Sequence, residues 1–180
     1  MRFLAFTMIA AATLAASSAL AAPAWQELRM EDLGIAKEFP GEPTRTAGEY
    51  TTPVVGTVPT TEFHIEDDNI VYEMTVAEVQ DKINVASSIL GECVANAEHE
   101  GTPLANMTNR VEGGADAIYG RLVSVDLANN AGRRQTACLV NAQGRLYIIR
   151  ATVLPAHGQP NSSMVIRFTN SLSFDLSGYH

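Results

Sequence analysis

Five arginines fall between positions 121 and 150: Arg121, Arg133, Arg134, Arg145 and Arg150. A guanidinium is a planar fork of donors that suits a carboxylate or a phosphate, so several on neighbouring strands could do recognition chemistry. Turn signals at Asn129-Asn130-Ala131-Gly132 and Asn141-Ala142-Gln143-Gly144 place them on a meander, with Asp126 expected opposite Arg134 as a cross-strand ion pair. Arg121, Arg133, Arg145 and Arg150, with the ring of Tyr147 beside them, are then the candidate binding residues for a small anionic ligand or a protein partner. The competing expectation is that these charges pair with carboxylates elsewhere in the chain and only coat the sheet.

Other reactive residue types are sparse. The sequence has no Gly-x-Ser-x-Gly, no Gly-rich Lys-Ser/Thr loop, no His-Glu-x-x-His and no complete calcium-binding loop, so no catalytic residue, metal or cofactor is assigned. His64, His99, His157 and His180 are scattered; His64 with Glu66 and His99 with Glu98 are the pairs that could contribute to a zinc site. Glu66-Asp67-Asp68-Asn69 concentrates oxygen ligands, and a solvated hairpin tip accounts for it without calcium. Cys93 and Cys138 are the two cysteines. Their spacing is not that of a redox motif; in an oxidising compartment they are expected to form a disulfide, the alternative being two separate buried thiols that pack as small hydrophobes.

The formal charge is −8, unevenly spread. Residues 22–116 carry 18 acidic and 5 basic side chains, whereas residues 117–180 carry 2 acidic and 6 basic. An acidic whole opposes phosphate backbones, so nucleic acid is excluded as a partner.

The compartment is read from the first residues. Met1-Arg2 supplies a positive start, Phe3 to Leu20 is uncharged and Ala-rich, and Ala19-Leu20-Ala21 has the small-x-small form of a cleavage site. The expectation is a signal peptide over residues 1–21 and a single domain over 22–180, periplasmic or secreted, with no transmembrane segment after cleavage. No cysteine stands near the cleavage point to carry a lipid anchor.

Period-two patterns predict strands over Gly34 to Phe39, Thr44 to Thr52, Val58 to Glu66 and Ile70 to Val79, the last two joined as a hairpin at Asp67-Asp68-Asn69. From Asp81 the period becomes helical, with Ile83, Ala86, Leu90, Cys93, Val94 and Ala97 on one stripe and Gly101 and Pro103 stopping the run. Strands follow over Leu104 to Val111, Ile118 to Leu127, Arg133 to Val140 and Arg145 to Leu154, the last three as an antiparallel meander. A closing helix runs from about Gln159 to Ser171. The order is four strands, helix, four strands, helix: an α+β fold with an antiparallel sheet of about eight strands covered by two helices. An eight-stranded barrel is the competing architecture, and the intervening helix interrupts the hairpin succession that barrels use.

Gly34-Ile35-Ala36-Lys37-Glu38-Phe39-Pro40-Gly41-Glu42-Pro43 resembles the opening strand and turn of a group of uncharacterised exported bacterial domains. Arg145-Leu146-Tyr147 and Arg167-Phe168-Thr169-Asn170-Ser171-Leu172 are similar to their late strand and last helix. The order of elements resembles the α/β sandwich called PsbP-like. That resemblance implies a fold and an extracytoplasmic accessory role, and it transfers no active site.

Three functions are compatible with these residues. The first is an exported accessory or binding protein that uses the sheet face or its edge to hold a partner. The second is a small hydrolase-like enzyme with converging His and carboxylates, and the third is a carrier of a small apolar ligand, which needs a deep dry cavity.

Overall fold

The computed structural model describes residues 24–113, 116–155 and 162–174; the expected signal peptide lies outside them. The fold is α+β. Its strands are β1 (Gln26–Met30), β2 (Ile35–Phe39), β3 (Thr44–Thr52), β4 (Gly56–Asp67), β5 (Ile70–Glu78), β6 (Gly101–Gly113), β7 (Asp116–Leu127), β8 (Arg133–Val140) and β9 (Arg145–Val153). The helices are α1 (Ala86–His99) and α2 (Ser162–Asn170). None among the described residues is long and apolar enough to cross a membrane.

The expected strand count is corrected. Gln26–Met30 is an additional strand that pairs with β2 alone, so the strands form a seven-stranded antiparallel sheet in the order β3-β4-β5-β9-β8-β7-β6 and a separate two-stranded hairpin. The segment escapes a periodicity reading because it is short, and Leu28 and Met30 are its only aliphatic residues. The sheet does not close into a barrel, since β3 and β6 are both edges.

Alternation along the central strands feeds two cores. Tyr147, Ile149, Ala151 and Val153 of β9 join Tyr72, Met74 and Val76 of β5 beneath the β1-β2 hairpin and α2. Leu146 and Ile148 of β9 turn the other way, joining Cys138, Val55 and the α1 residues Ile89 and Cys93. Buried on both sides, β9 reads as a nearly continuous apolar run, as the physics of a covered central strand requires.

Helix α1 starts later than Asp81. A 3-10 turn over Gln80–Val85 precedes it, and Val85 occupies the N-cap position without a side-chain cap bond. Asn84 and Val85, poor helix formers, stand at that junction. The buried stripe is Ile89, Cys93 and Ala97, spaced four apart, with Leu90 and Val94 at its margin. Cys93 and Cys138 are joined by a disulfide with Cα atoms 6.2 Å apart, tying α1 to the middle of β8.

On the opposite face the rings of Phe39, Tyr72 and Phe168 pack edge to face, with centroids 5.3 Å (Phe39–Phe168) and 4.9 Å (Tyr72–Phe168) apart. Lys37 is fully buried among them. Its amine donates to the Phe168 carbonyl and, at 3.0 Å, to Ser171 Oγ, and it sits 4.0 Å from the Phe168 ring centroid. It thereby serves acceptors at the C-terminal end of α2. Burial pushes the Lys37 amine well below the ordinary lysine range, partly opposed by the charge of Glu38.

The unfolded chain then binds more protons than the folded one between that depressed value and 10.5, so stability rises with pH across this interval. Tyr147 acts in the opposite sense. Burial raises its phenol to about 12, so stability falls again once unfolded tyrosines ionise above their ordinary value of 10. The urea midpoint is expected to climb from pH 7.5 to 9.5, and Lys37→Met is expected to flatten that climb. A wild-type midpoint that stays level over this range would contradict the assignment.

Candidate functional site

The arginines do not form one surface. Paired residues on adjacent strands share a face, and the ladders place Arg121 opposite Cys138 and Arg150 opposite Thr136. Arg121, Arg134 and Arg150 therefore lie on the α1 side, and Arg133 and Arg145 on the other. Each is held by the protein. Arg121 Nε donates to Asn106 Oδ1 at 2.8 Å, and Arg145 Nε donates to Glu78 Oε1 at 2.9 Å while its Nη1 reaches the Leu33 carbonyl.

The expected Asp126–Arg134 pair is shifted by one residue. Asp126 stands opposite Arg133, whose Nε donates to its carboxylate at 2.8 Å. The turn is closed by Leu127 N–H on the Gly132 carbonyl, with Asn129 and Asn130 both at φ 57°, and this geometry sets the register. Arg134 instead donates to Glu100 Oε2 at 2.8 Å, and Arg150 Nη2 lies 3.4 Å from the other oxygen of the same carboxylate. These two guanidiniums meet the C-terminal end of α1, where positive charge is favourable. The Nε of Arg150 is buried without an acceptor.

Tyr147 is fully buried, its hydroxyl accepting from Asn141 Nδ2 at 3.0 Å and its ring against Phe174. The charge asymmetry of the sequence is thus spent largely within the fold: Arg145–Glu78, Arg134–Glu100, Arg150–Glu100 and Arg167–Glu38 each join the basic last part of the chain to the acidic first part. His64 rests against Glu66 at 3.6 Å, and His157 and His180 lie outside the described residues. Clefts among the described residues include one of about 430 Å³ and one of about 220 Å³, and no histidine lines either of these.

Both faces of β9 are covered, and the strands β3 and β6 are the two edges of the sheet. The edge β3 is nine residues of Thr, Arg, Ala, Gly, Glu and Tyr. Its charged side chains are the kind that keep an edge from pairing.

The other edge, β6, also has charged residues, Arg110 and Glu112, but differs in its length and its exposed apolar side chains. It is 13 residues long, pairs only with β7, and carries Leu104 (48% exposed) and Met107 (52% exposed), two of the three exposed large hydrophobic side chains among the described residues. Pro103 and a register shift between Pro103 and Ala105 blunt its first end, after which the pairing is regular through Val111.

The strand is also held from behind. Asn106 Nδ2 donates to Glu98 Oε1 of α1 at 2.7 Å and its carbonyl oxygen accepts from Arg121, so a relay of three side chains fixes the centre of the edge. Of the arginines read from the sequence, Arg121 is the one that supports this site. The signal for it lay in Pro103 at the start of an otherwise strand-like run, since proline in a sheet is confined to edges and bulges. No protein-family model matches the chain, and no curated protein matches it.

Proposed function

We propose that the protein is an exported, non-enzymatic accessory protein that holds an extended segment of another protein along β6 by adding it as an eighth strand. The observation that carries this is the open outer edge of β6 with Leu104 and Met107 exposed on it. An edge strand offers a row of unpaired backbone donors and acceptors, and exposed side chains beside that row give the added strand its specificity. Export and a periplasmic or secreted location are supported by the signal-like residues 1–21 and by the Cys93–Cys138 bridge, which persists in oxidising compartments. The similarity of layout to the PsbP-like sandwich fits an extracytoplasmic accessory role.

A small anionic ligand is the second reading, favoured by the unsatisfied Nε of Arg150. Against it, Glu100 already neutralises one of the two guanidiniums and Glu73 stands opposite Arg150 in the ladder.

The test uses a photo-crosslinking residue at Thr108 on β6 in cells that export the protein, with the same residue at Thr46 on β3 as control. A discrete adduct at Thr108 only, lost in Leu104→Lys/Met107→Lys, is expected. The double variant should change the unfolding free energy by less than about 0.5 kcal/mol per site, because both side chains are at the surface. Equal adducts at both edges, or none at Thr108, would overturn strand addition at β6.

A further inference from the structure

A second opening lies at the far end of β4, and it arises because β4 is longer than the strand beside it. Its ladder with β3 is complete from Thr52↔Gly56 to Thr44↔His64, but its ladder with β5 begins only at Thr60↔Ala77. Gly56–Pro59 is therefore paired on one side only. Pro59 stands where Glu78 would be its partner, and proline has no N–H to give to a ladder.

The chain leaves the sheet just beyond. Val79 N–H donates to the Gly144 carbonyl at 2.7 Å, and the Gln80–Val85 turn carries the backbone away. The departure is locked: Gly144 has φ +82°, and a Cβ there would collide with the backbone of Gln80.

Where β5 would have continued there is instead a cleft of about 430 Å³, within the range of sites that take small ligands. Its apolar wall is Val58 and Pro59 over the largely buried Val55 and Val79, and Glu78, Thr57 and Gln80 stand at its polar rim. Glu78 gives one carboxylate oxygen to Arg145, and the protein as a whole is acidic, so an acidic occupant is disfavoured.

We propose that this cleft takes a short, extended, neutral or basic peptide segment with an apolar side chain, which replaces the missing length of β5. Four residues paired only with β3, at about 3.4 Å each, make a slot about 14 Å long, and an extended peptide supplies both the backbone groups for the outward-facing N–H and C=O groups of this stretch and an alternating side chain for its apolar wall. The site is separate from β6 and does not depend on the proposal made for that edge.

Amide resonances of the intact protein, recorded during titration with acetyl-Thr-Val-Lys-Val-amide, test the assignment. Shifts confined to Gly56, Thr57, Val58, Val79 and Gln80 are expected, weakened several-fold with acetyl-Thr-Val-Glu-Val-amide. Thr57 and Gln80 are exposed, so Thr57→Trp and Gln80→Trp fill the cleft from its rim without disturbing the core, and either should abolish the shifts. Leu104→Lys/Met107→Lys should leave them unchanged. No shift at these residues, shifts at β6 in their place, or shifts that persist in both Trp variants would overturn the assignment.

Discussion

Replacing Cys93 and Cys138 together by alanine is expected to lower the unfolding free energy by about 4 kcal/mol, a large fraction of the 5–15 kcal/mol of an ordinary domain. The bridge spans 45 positions, and cross-linking a loop of that size removes about this much free energy of conformational freedom from the unfolded chain. Both side chains are buried, Cys138 completely, so alanine is chosen over serine to avoid placing an unsatisfied hydroxyl in the core. Urea unfolding of the two proteins reads the difference, and thermal unfolding should show it as a fall of about 8–16 °C. Thiol titration supplies the covalent check: none in the denatured, unreduced wild type and two after reduction. A double variant within about 1 kcal/mol of wild type would show that α1 is held against β8 by packing alone.

Phe168→Ala is expected to cost about 3–5 kcal/mol, the range for emptying a fully buried aromatic site. The ring is the meeting point of two structural units, packed edge to face on Phe39 of the hairpin and on Tyr72 of the sheet and lying beneath the Lys37 amine. Removing it opens a cavity against the buried Lys37 amine, whose remaining partners are the residue 168 carbonyl and Ser171 Oγ. Collapse is restricted, because α2 is also fixed by Arg167, which is ion-paired with Glu38 and stacked 4.6 Å from the Trp25 ring. Ile166→Ala, two residues away and 51% exposed, is the matched control and should change stability by less than about 0.5 kcal/mol. Near-equal urea midpoints for the two variants would contradict the role given to Phe168.

Local chemistry made much of this fold legible. The β3 and β8 strands span the residues that alternation and turn signals give them, Thr44–Thr52 and Arg133–Val140, and the β4-β5 hairpin turns at Asp68-Asn69 with Asp68 at φ 54°. Some misses are local, since β1 is short and the turn geometry sets Asp126 opposite Arg133, and others come from dependence on distant partners. Ile89 faces the sheet on the same stripe as Cys93 and Ala97, and the disulfide of Cys93 fixes that rotation of α1 over the stripe centred on Leu90 and Val94. The start of the expected closing helix, Gln159 to Asn161, lies outside the described residues, and its described part is Ser162–Asn170.

The arginines show the same division more sharply. Their type and their place on a meander follow from the sequence, but their availability depends on carboxylates far away in the chain, Glu78 for Arg145 and Glu100 for Arg150. Burial of Tyr147 likewise depends on a layer formed by residues far from it in sequence.

By itself the sequence determined the classes of element, their order after β1 and the acidic-to-basic polarity of the chain, because each rests on neighbours or on composition, whereas the Cys93–Cys138 bridge needed the docking of α1 on β8. Tertiary structure alone decided that β9 inserts beside β5, and with it that β3 and β6 become the edges. Strand order is a choice among long-range pairings of similar local energy, and the one adopted buries both faces of β9 and one face of β5. That arrangement holds Arg134, Arg145 and Arg150 in ion pairs with distant carboxylates, and it leaves β6 as an edge.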